Sequence, residues 1–501
     1  MNNTLAGKLA GFLGKFTVLK GAARELWLTF AIKFLIVAAY AVTNSTIVRW
    51  LSHDFGMSDK RALALVAAWS IVITVGTLLA GSLTDVLGLR RSFFLGVWIC
   101  LFARAVMAFA TVKWFALAAG LFPLAIGEAL GTPVLIAATR KYSNTKQRSI
   151  SFSMIYAIMN LGFLASGYIF DWVRQTFGEY GHWTLPLVGW DLTTYRTLFL
   201  VSWAIELLVL PALWFLREGA EVTDEGITIA PARISTRTGR AFSRAWQTVR
   251  DSGRETSRFF TELLGQKGFY RLLSFLLLIS FLKLVFMQMS YVFPTFGIRE
   301  LGAGAPVGRL WAINSYVVIF LVPVVGALTQ RFSAYRMVIL GGAITAASVF
   351  IMTLPPRWFQ TLADGWPGNW VGHYYLGLRG NIHPYYVMIA LYVIVLSFGE
   401  AFYSPRVYEY AAAIAPKGQE ASYGALSYTP FLLGKLLIGT ISGTLLAKYC
   451  PEHGERHSGM MWLFVAFTAM IAPVGLILLQ RRIRVHEAGR PDDGQPEAAA
   501  G

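Results

Sequence analysis

Cysteine is nearly absent: the 501-residue chain carries two, Cys100 and Cys450. They fall in different parts of the chain, so no disulfide between them is expected, and no spacing suits a metal ion. Charge is scarce as well. Only 14% of residues are charged against 55% hydrophobic, which is too apolar for an ordinary soluble protein. Negative charge is the scarcer sign, 27 Asp and Glu against 44 Lys and Arg. No nucleophile–base set, phosphate loop or metal cluster stands out, so neither an enzyme nor a cofactor is expected. No cleavable signal peptide is apparent at the N-terminus.

What the chain does have is apolar length. Stretches long enough to cross a bilayer recur about twelve times, near 26–51, 61–84, 92–111, 113–139, 149–173, 196–216, 270–293, 306–330, 336–355, 384–412, 421–447 and 459–480. The excess charge of +17 does not call for nucleic acid, because its distribution is topogenic. Lys8, Lys15, Lys20 and Arg24 precede the first span, Arg90 and Arg91 follow the second, and Arg140, Lys141, Lys146 and Arg148 follow the fourth. Arg331, Arg336 and Lys417 lie in later loops of the same parity, and Arg481, Arg482 and Arg484 follow the last span. The positive-inside rule then predicts an all-α, multi-pass protein of the cell (inner) membrane with both termini cytoplasmic. Its expected partners are the lipid bilayer and a small-molecule substrate, and a monomer is expected.

The chain also repeats itself. Gly127-Glu128-Ala129-Leu130-Gly131-Thr132-Pro133 returns as Gly399-Glu400-Ala401-Phe402-Tyr403-Ser404-Pro405, 272 residues on. The same shift carries Gln147 onto Gln419, Tyr156 onto Tyr428 and Gly162 onto Gly434. A shorter shift of 245 residues carries Gly81-Ser82-Leu83-Thr84 onto Gly326-Ala327-Leu328-Thr329. About 27 residues are therefore inserted between spans 9 and 10, in the Trp-, Tyr- and Gly-rich loop 355–383. That loop reads either as a small lid or as an interfacial loop. Duplicated halves are how secondary transporters are built. The implied organisation is an N-terminal arm (1–24), a six-helix bundle (25–216), a linker (217–269), a second bundle (270–480) and a tail (481–501). Leu9, Phe12, Leu13, Phe16 and Leu19 of the arm suit either a surface-lying helix or a frayed arm. In the linker, Arg233, Arg237, Arg240 and Arg244 at helical spacing suit a helix facing anionic headgroups, or a regulatory segment.

Four mid-depth charges stand out. Lys33 shares a face of span 1 with Tyr40 and Asn44, and Lys283 shares a face of span 7 with Met287, Ser290 and Tyr291. Glu128 and Glu400 are the glutamates of the repeated motif. Each costs about 2.5–3.5 kcal/mol if buried alone, so they must pair, face water or bind substrate. Arg104 and Glu206, on spans 3 and 6, read as peripheral packing or lipid-interface pairs. Arg406 and Glu409 read as a local pair on span 10. Lys435 shares a stripe of span 11 with Tyr428 and Ser442, facing either a cavity or a helix-packing seam.

Gly81…Asp85…Gly88…Arg90-Arg91 between spans 2 and 3 resembles the loop signature of the major facilitator superfamily. That resemblance implies two pseudo-symmetric six-helix bundles, alternating access, and a central cavity lined by spans 1, 4, 7 and 10. Within it, Phe152-Ser153…Tyr156…Asn160…Gly162 of span 5, Ala312-Ile313-Asn314 of span 8 and Gly399-Glu400…Ser404-Pro405 of span 10 resemble the proton-dependent oligopeptide transporter family. The resemblance implies that Glu400, Asn314 and Asn160 contact substrate, and Lys33, Tyr40, Asn44, Lys283 and Lys435 are the further residues expected at the substrate site. The chain departs from that family in span 1, where its paired glutamates and arginine are missing, and in span 4, where Thr132 replaces a lysine. Glu128 is then the candidate replacement for the proton site, or else it pairs with Lys33 or Lys283; Glu400 is the second residue expected to take part in proton coupling. The expected activity is proton-coupled symport of a small polar or zwitterionic solute, such as a short peptide or amino-acid derivative, driven by the proton gradient. The alternatives are a proton-driven exporter of an amphipathic compound and a non-transporting membrane sensor or scaffold.

Overall fold

The computed structural model describes residues 14, 16–186, 189–229, 267–329, 332–414 and 429–484. Leu9, Phe12 and Leu13 of the arm, the linker arginines 233–244, Gln419, Tyr428 and the tail beyond 484 lie outside the described residues. Contacts divide the chain into two compact units. Of the described residues, one holds those within 14–57 and 65–229; the other holds those within 58–64 and 267–484.

In the first unit, α1 (Arg24–His53), α3 (Leu89–Phe109), α4 (Lys113–Lys141), α5 (Thr145–Phe177) and α6 (Thr194–Trp214) pack together with most of α2 (Asp59–Leu87). Their ends follow local chemistry. Asn144 and Gln147 form a capping box at the start of α5, Gln147 N–H donating to Asn144 Oδ1 at 2.9 Å. Thr193 caps α6 by accepting from Arg196 N–H at 3.2 Å. Gly88 alone separates α2 from α3, at φ +83°, a backbone angle that side chains with a Cβ resist. This sharp reversal is what the glycine of the loop motif provides. A hairpin of β1 (His182–Thr184) and β2 (Asp191–Thr193) precedes α6, and β3 (Ala220–Thr223) with β4 (Gly226–Ile229) opens the linker.

The helices sort their faces as a bilayer requires. On α3, Leu95, Trp98 and Phe102 are exposed while Gly96, Val97, Cys100 and Arg104 are buried. One stripe meets lipid and the other meets protein. The buried core of this unit joins Leu26 and Phe30 of α1, Val97 and Leu101 of α3, Val134 and Leu135 of α4, and Leu213 of α6.

In the second unit, α7 (Lys267–Tyr291) is extended by Phe293–Leu301, and α8 (Val307–Leu328), α9 (Ala334–Ile351), α10 (Pro384–Ile414), the helical run α11 (429–449) and α12 (Ser458–Leu478) complete it. Ser333 caps α9, accepting from Arg336 N–H at 3.3 Å. The insertion between α9 and α10 folds into short helical turns from Pro356 to Tyr375. The start of α2 also belongs to this unit. There, Asp59 accepts from Arg299 at 2.8 and 3.0 Å, and Arg299 donates to the Cys450 carbonyl at 2.7 Å. Among the described residues, eleven helices are long and apolar enough to cross a membrane, and α11 stands at the remaining position.

Candidate functional site

Each unit holds one buried polar cluster around the glutamate of the repeated motif. The preceding glycine brings the helices close. A Cβ on Gly127 would lie 3.0 Å from the Gly96 carbonyl oxygen, and one on Gly399 would lie 2.7 Å from that of Gly341. The 245-residue shift carries Gly96 onto Gly341, so the two crossings are equivalent. Each glutamate is thereby pressed into its own bundle.

In the first unit Glu128 takes an ion pair from Arg104 of α3. The same guanidinium lies 3.3 Å, Nη1 to Oε2, from Glu206 of α6. Arg104 is wholly buried and Glu206 is 2% exposed, so the reading of these two as peripheral is corrected. Arg104 lies on the face of α3 opposite Leu95, about 180° round the helix, and that places it in the bundle. Ser202, one turn before Glu206, donates to the Ala39 carbonyl of α1 at 2.8 Å and so fixes this face of α6 inward. Lys33 is half-buried on α1 and lies within electrostatic reach of Glu128, and Arg104 contacts Glu128 directly. Tyr40 stacks on Trp69 at 6.4 Å, and Asn44 is buried on the same helix. Asn160 uses its amide nitrogen within α5, donating to the Tyr156 carbonyl at 3.0 Å.

In the second unit Glu400 accepts from Asn314 Nδ2 at 2.9 Å, and the same nitrogen donates to Ser397 Oγ at 3.0 Å. Lys283 is buried within electrostatic reach of Glu400. Its ammonium lies 3.5 Å from Ser404 Oγ, with the rings of Tyr403 and Phe286 at 5.0 and 5.6 Å. Lys435 is half-buried on α11. Arg406 donates to the carbonyl and hydroxyl oxygens of Thr329 at the end of α8, and the Glu409 side chain lies outside those described. Three of the residues expected at a substrate site, Lys283, Asn314 and Glu400, thus stand together.

The loop motif is divided. Gly81 and Asp85 fall in α2, with the Asp85 side chain outside those described. Arg90 donates to the Trp214 carbonyl at 3.1 Å, and Arg91 pairs with Glu218 at 3.2 Å, so both arginines tie the α2–α3 turn to the end of α6.

A second network, missed at the level of sequence, closes the opposite end of the first unit. Arg174 of α5 pairs with Glu179 and Asp171, Tyr195 donates to Glu179 at 2.6 Å, and Arg49 donates to Tyr195 and Tyr180 at 3.2 and 2.7 Å. The five-residue spacing of Arg174 and Glu179 across a helix end gave no periodic signal.

A family model described as Major Facilitator Superfamily matches residues 29–370. The chain belongs to the major facilitator superfamily. It is therefore a membrane transporter with the superfamily's twelve-helix fold, and not an enzyme. Among solved structures, one from a study of substrate recognition in proton dependent oligopeptide transporters is 18% identical, with a TM-score of 0.64 over 92% of this chain and 98% of that one. A POT family transporter in complex with 5-aminolevulinic acid is 16% identical, with a TM-score of 0.64 over 92% and 97%. A tetrameric PepTSo2 gives 18% and 0.65 over 92% and 99%. These likenesses establish the fold of the transporter. A gallate transporter of Pseudomonas putida is 24% identical over 200 residues, 38% of this chain. The match spans about two fifths of that relative's length, 39%.

Proposed function

We propose that this transporter is a proton-coupled symporter of a small polar or zwitterionic solute, such as a short peptide or an amino-acid derivative. The observation that carries the reading is buried Lys283 within electrostatic reach of half-buried Glu400, with Asn314 and Ser404 as polar neighbours. A zwitterion fits such a pair because its ammonium replaces Lys283 at Glu400 while its carboxylate replaces Glu400 at Lys283. Each buried charge then keeps a partner throughout, and the desolvation cost of an orphaned ion is avoided. Proton coupling falls to the first unit, where Glu128 is a buried carboxylate on the helix equivalent to that of Glu400. The loop arginines and lysines support cytoplasmic termini in the inner membrane, and the working unit is a monomer.

The test is uptake into proteoliposomes under an imposed pH gradient, with di- and tripeptides, 5-aminolevulinic acid and gallate as candidate solutes. Concentrative uptake of a zwitterion, collapsed by a protonophore, is expected. Uptake indifferent to the gradient would overturn the coupling. A second reading, a small aromatic acid, is favoured by the Tyr403 and Phe286 rings around Lys283; uptake of gallate but of no amine-bearing solute would select it. Gradient-driven efflux would make the protein an exporter.

A further inference from the structure

We infer that Glu206 is a second proton-accepting carboxylate, which shares the coupling proton with Glu128 across the Arg104 guanidinium. The inference rests on the proton-coupled reading above. Two carboxylates meet one guanidinium here, through different nitrogens, in a site almost without solvent. The charged and titratable groups facing Glu206 are Arg104 and Cys100 from α3 and Glu128 from α4; Lys33 faces the cluster from α1. With both carboxylates ionised, the charges balance only if Lys33 serves the cluster. One proton on the pair leaves Arg104 matched to the other carboxylate and releases the charge of Lys33. Proton uptake and the freeing of a cation for a solute carboxylate then become a single equilibrium, and the proton belongs to the pair.

The geometry favours Glu206 as the atom that receives it. Glu128 accepts a direct hydrogen bond from Arg104, so a proton there competes with that bond. Oε2 of Glu206 accepts none, and the facing Nη1 donates none. A proton placed on it breaks no hydrogen bond. A narrow crevice lined by Ser92, Gly96, Cys100, Gly127, Glu128 and Glu206 borders the pair. It begins within about a turn of the Gly88 reversal and follows α3 inward for about 12 Å, at 1.5 Å per residue from Ser92 to Cys100. The proton comes from bulk water and returns to it when the pair is re-ionised.

The probe is the proton itself, applied as a pH step to the purified full-length transporter in lipid and read in the carboxylic-acid C=O region by infrared difference spectroscopy. Wild type is expected to gain a band on acidification. Glu206→Gln is expected to lose it, and Glu128→Gln is expected to keep it at a shifted frequency. A band that survives Glu206→Gln unchanged, or one lost only in Glu128→Gln, would overturn the assignment. If Glu206→Gln does not fold, Glu206→Asp takes its place: a moved band supports the site, and an unmoved band refutes it. The two readings fail separately. A Glu206-dependent band in a protein that concentrates no solute under a pH gradient would sink the symport reading and leave the proton site standing.

Discussion

The two halves solve one problem in two ways. Each buries a glutamate behind a helix-crossing glycine, yet the first half answers with an arginine and the second with an asparagine and a lysine. The 245-residue shift that superposes Gly96 on Gly341 and Cys100 on Thr345 carries Arg104 onto Val349. Val349 is wholly buried and has nothing to offer a carboxylate. Glu128 is thus clamped by a permanent charge that a solute cannot displace cheaply, whereas Glu400 is held by a neutral amide and a neighbouring ammonium. A clamped carboxylate suits a proton, which needs no room. A loosely held one suits an exchangeable organic charge. The duplicated scaffold kept the glutamate and specialised its surroundings.

Removing the clamp is expected to give the largest effect. Arg104→Gln strands two buried carboxylates and should cost about 3–5 kcal/mol, measured by thermal unfolding in detergent. Replacing Arg104, Glu128 and Glu206 together by methionine should recover most of that stability, because apolar substitutes for a buried triad are often neutral or better. The same triple variant should have no proton-driven uptake. If it still concentrates solute, the contrast between the halves is not functional.

In the second half the order reverses, with function more sensitive than stability. Glu400→Gln keeps an acceptor for Asn314, so unfolding should move little. Loss of a charge-assisted hydrogen bond, about 1.5–3 kcal/mol, should weaken binding of an amine-bearing solute about 10–100-fold. Unchanged affinity in equilibrium binding would remove Glu400 from the substrate site.

The glycine crossings sharpen the comparison at a finer level. A Cβ at 399 meets Thr345 N at 2.6 Å and Gly341 O at 2.7 Å, while one at 127 meets the equivalent Cys100 N and Gly96 O at 3.0 Å. Both alanine variants should lose about 1–3 kcal/mol by overpacking, with Gly399→Ala the worse. The reverse order in parallel melts would show that the crossings are not equivalent. The smallest effect concerns Cys450, beyond the end of α11, whose thiol burial pushes up to about 11. Its contribution to stability is complete below the ordinary thiol range and fades as pH rises through about 11. Maleimide should therefore label it at pH 8 only after unfolding, and prompt labelling of the folded protein would show an open site.

Much of this was legible in the sequence, and the failures have physical causes. Apolar length and the basic loops gave the spanning helices, and the repeated Gly-Glu motif marked both clusters. The resemblance of spans 8 and 10 placed Asn314 and Glu400 in one pocket, though not the hydrogen bond between them. Arg104 and Glu206 were misplaced because a helix was assigned as peripheral as a whole, when only one of its faces is. The spacing of Leu95, Trp98 and Phe102 already defined the lipid face of α3 and left Arg104 opposite it. On α6 the buried spacing of Phe199, Ser202, Glu206, Val209 and Leu213 carried the same information. Which of two nearby cations would take Glu128 was not legible, since it depends on how α3 and α4 cross.

The Arg104 cluster also imposes an order on the making of the protein. Arg104 and Glu128 are 24 residues apart on adjoining helices, so they can enter the bilayer together as an already neutral hairpin. Glu206 is made 102 residues after Arg104, which at a synthesis rate of about 5–20 residues per second is a wait of roughly 5–20 s. Lys33, made first of all, waits for Glu128 through two intervening helices. Membrane insertion of this half is therefore a staged neutralisation, with the α3–α4 hairpin as the seed on which the first and sixth helices later close.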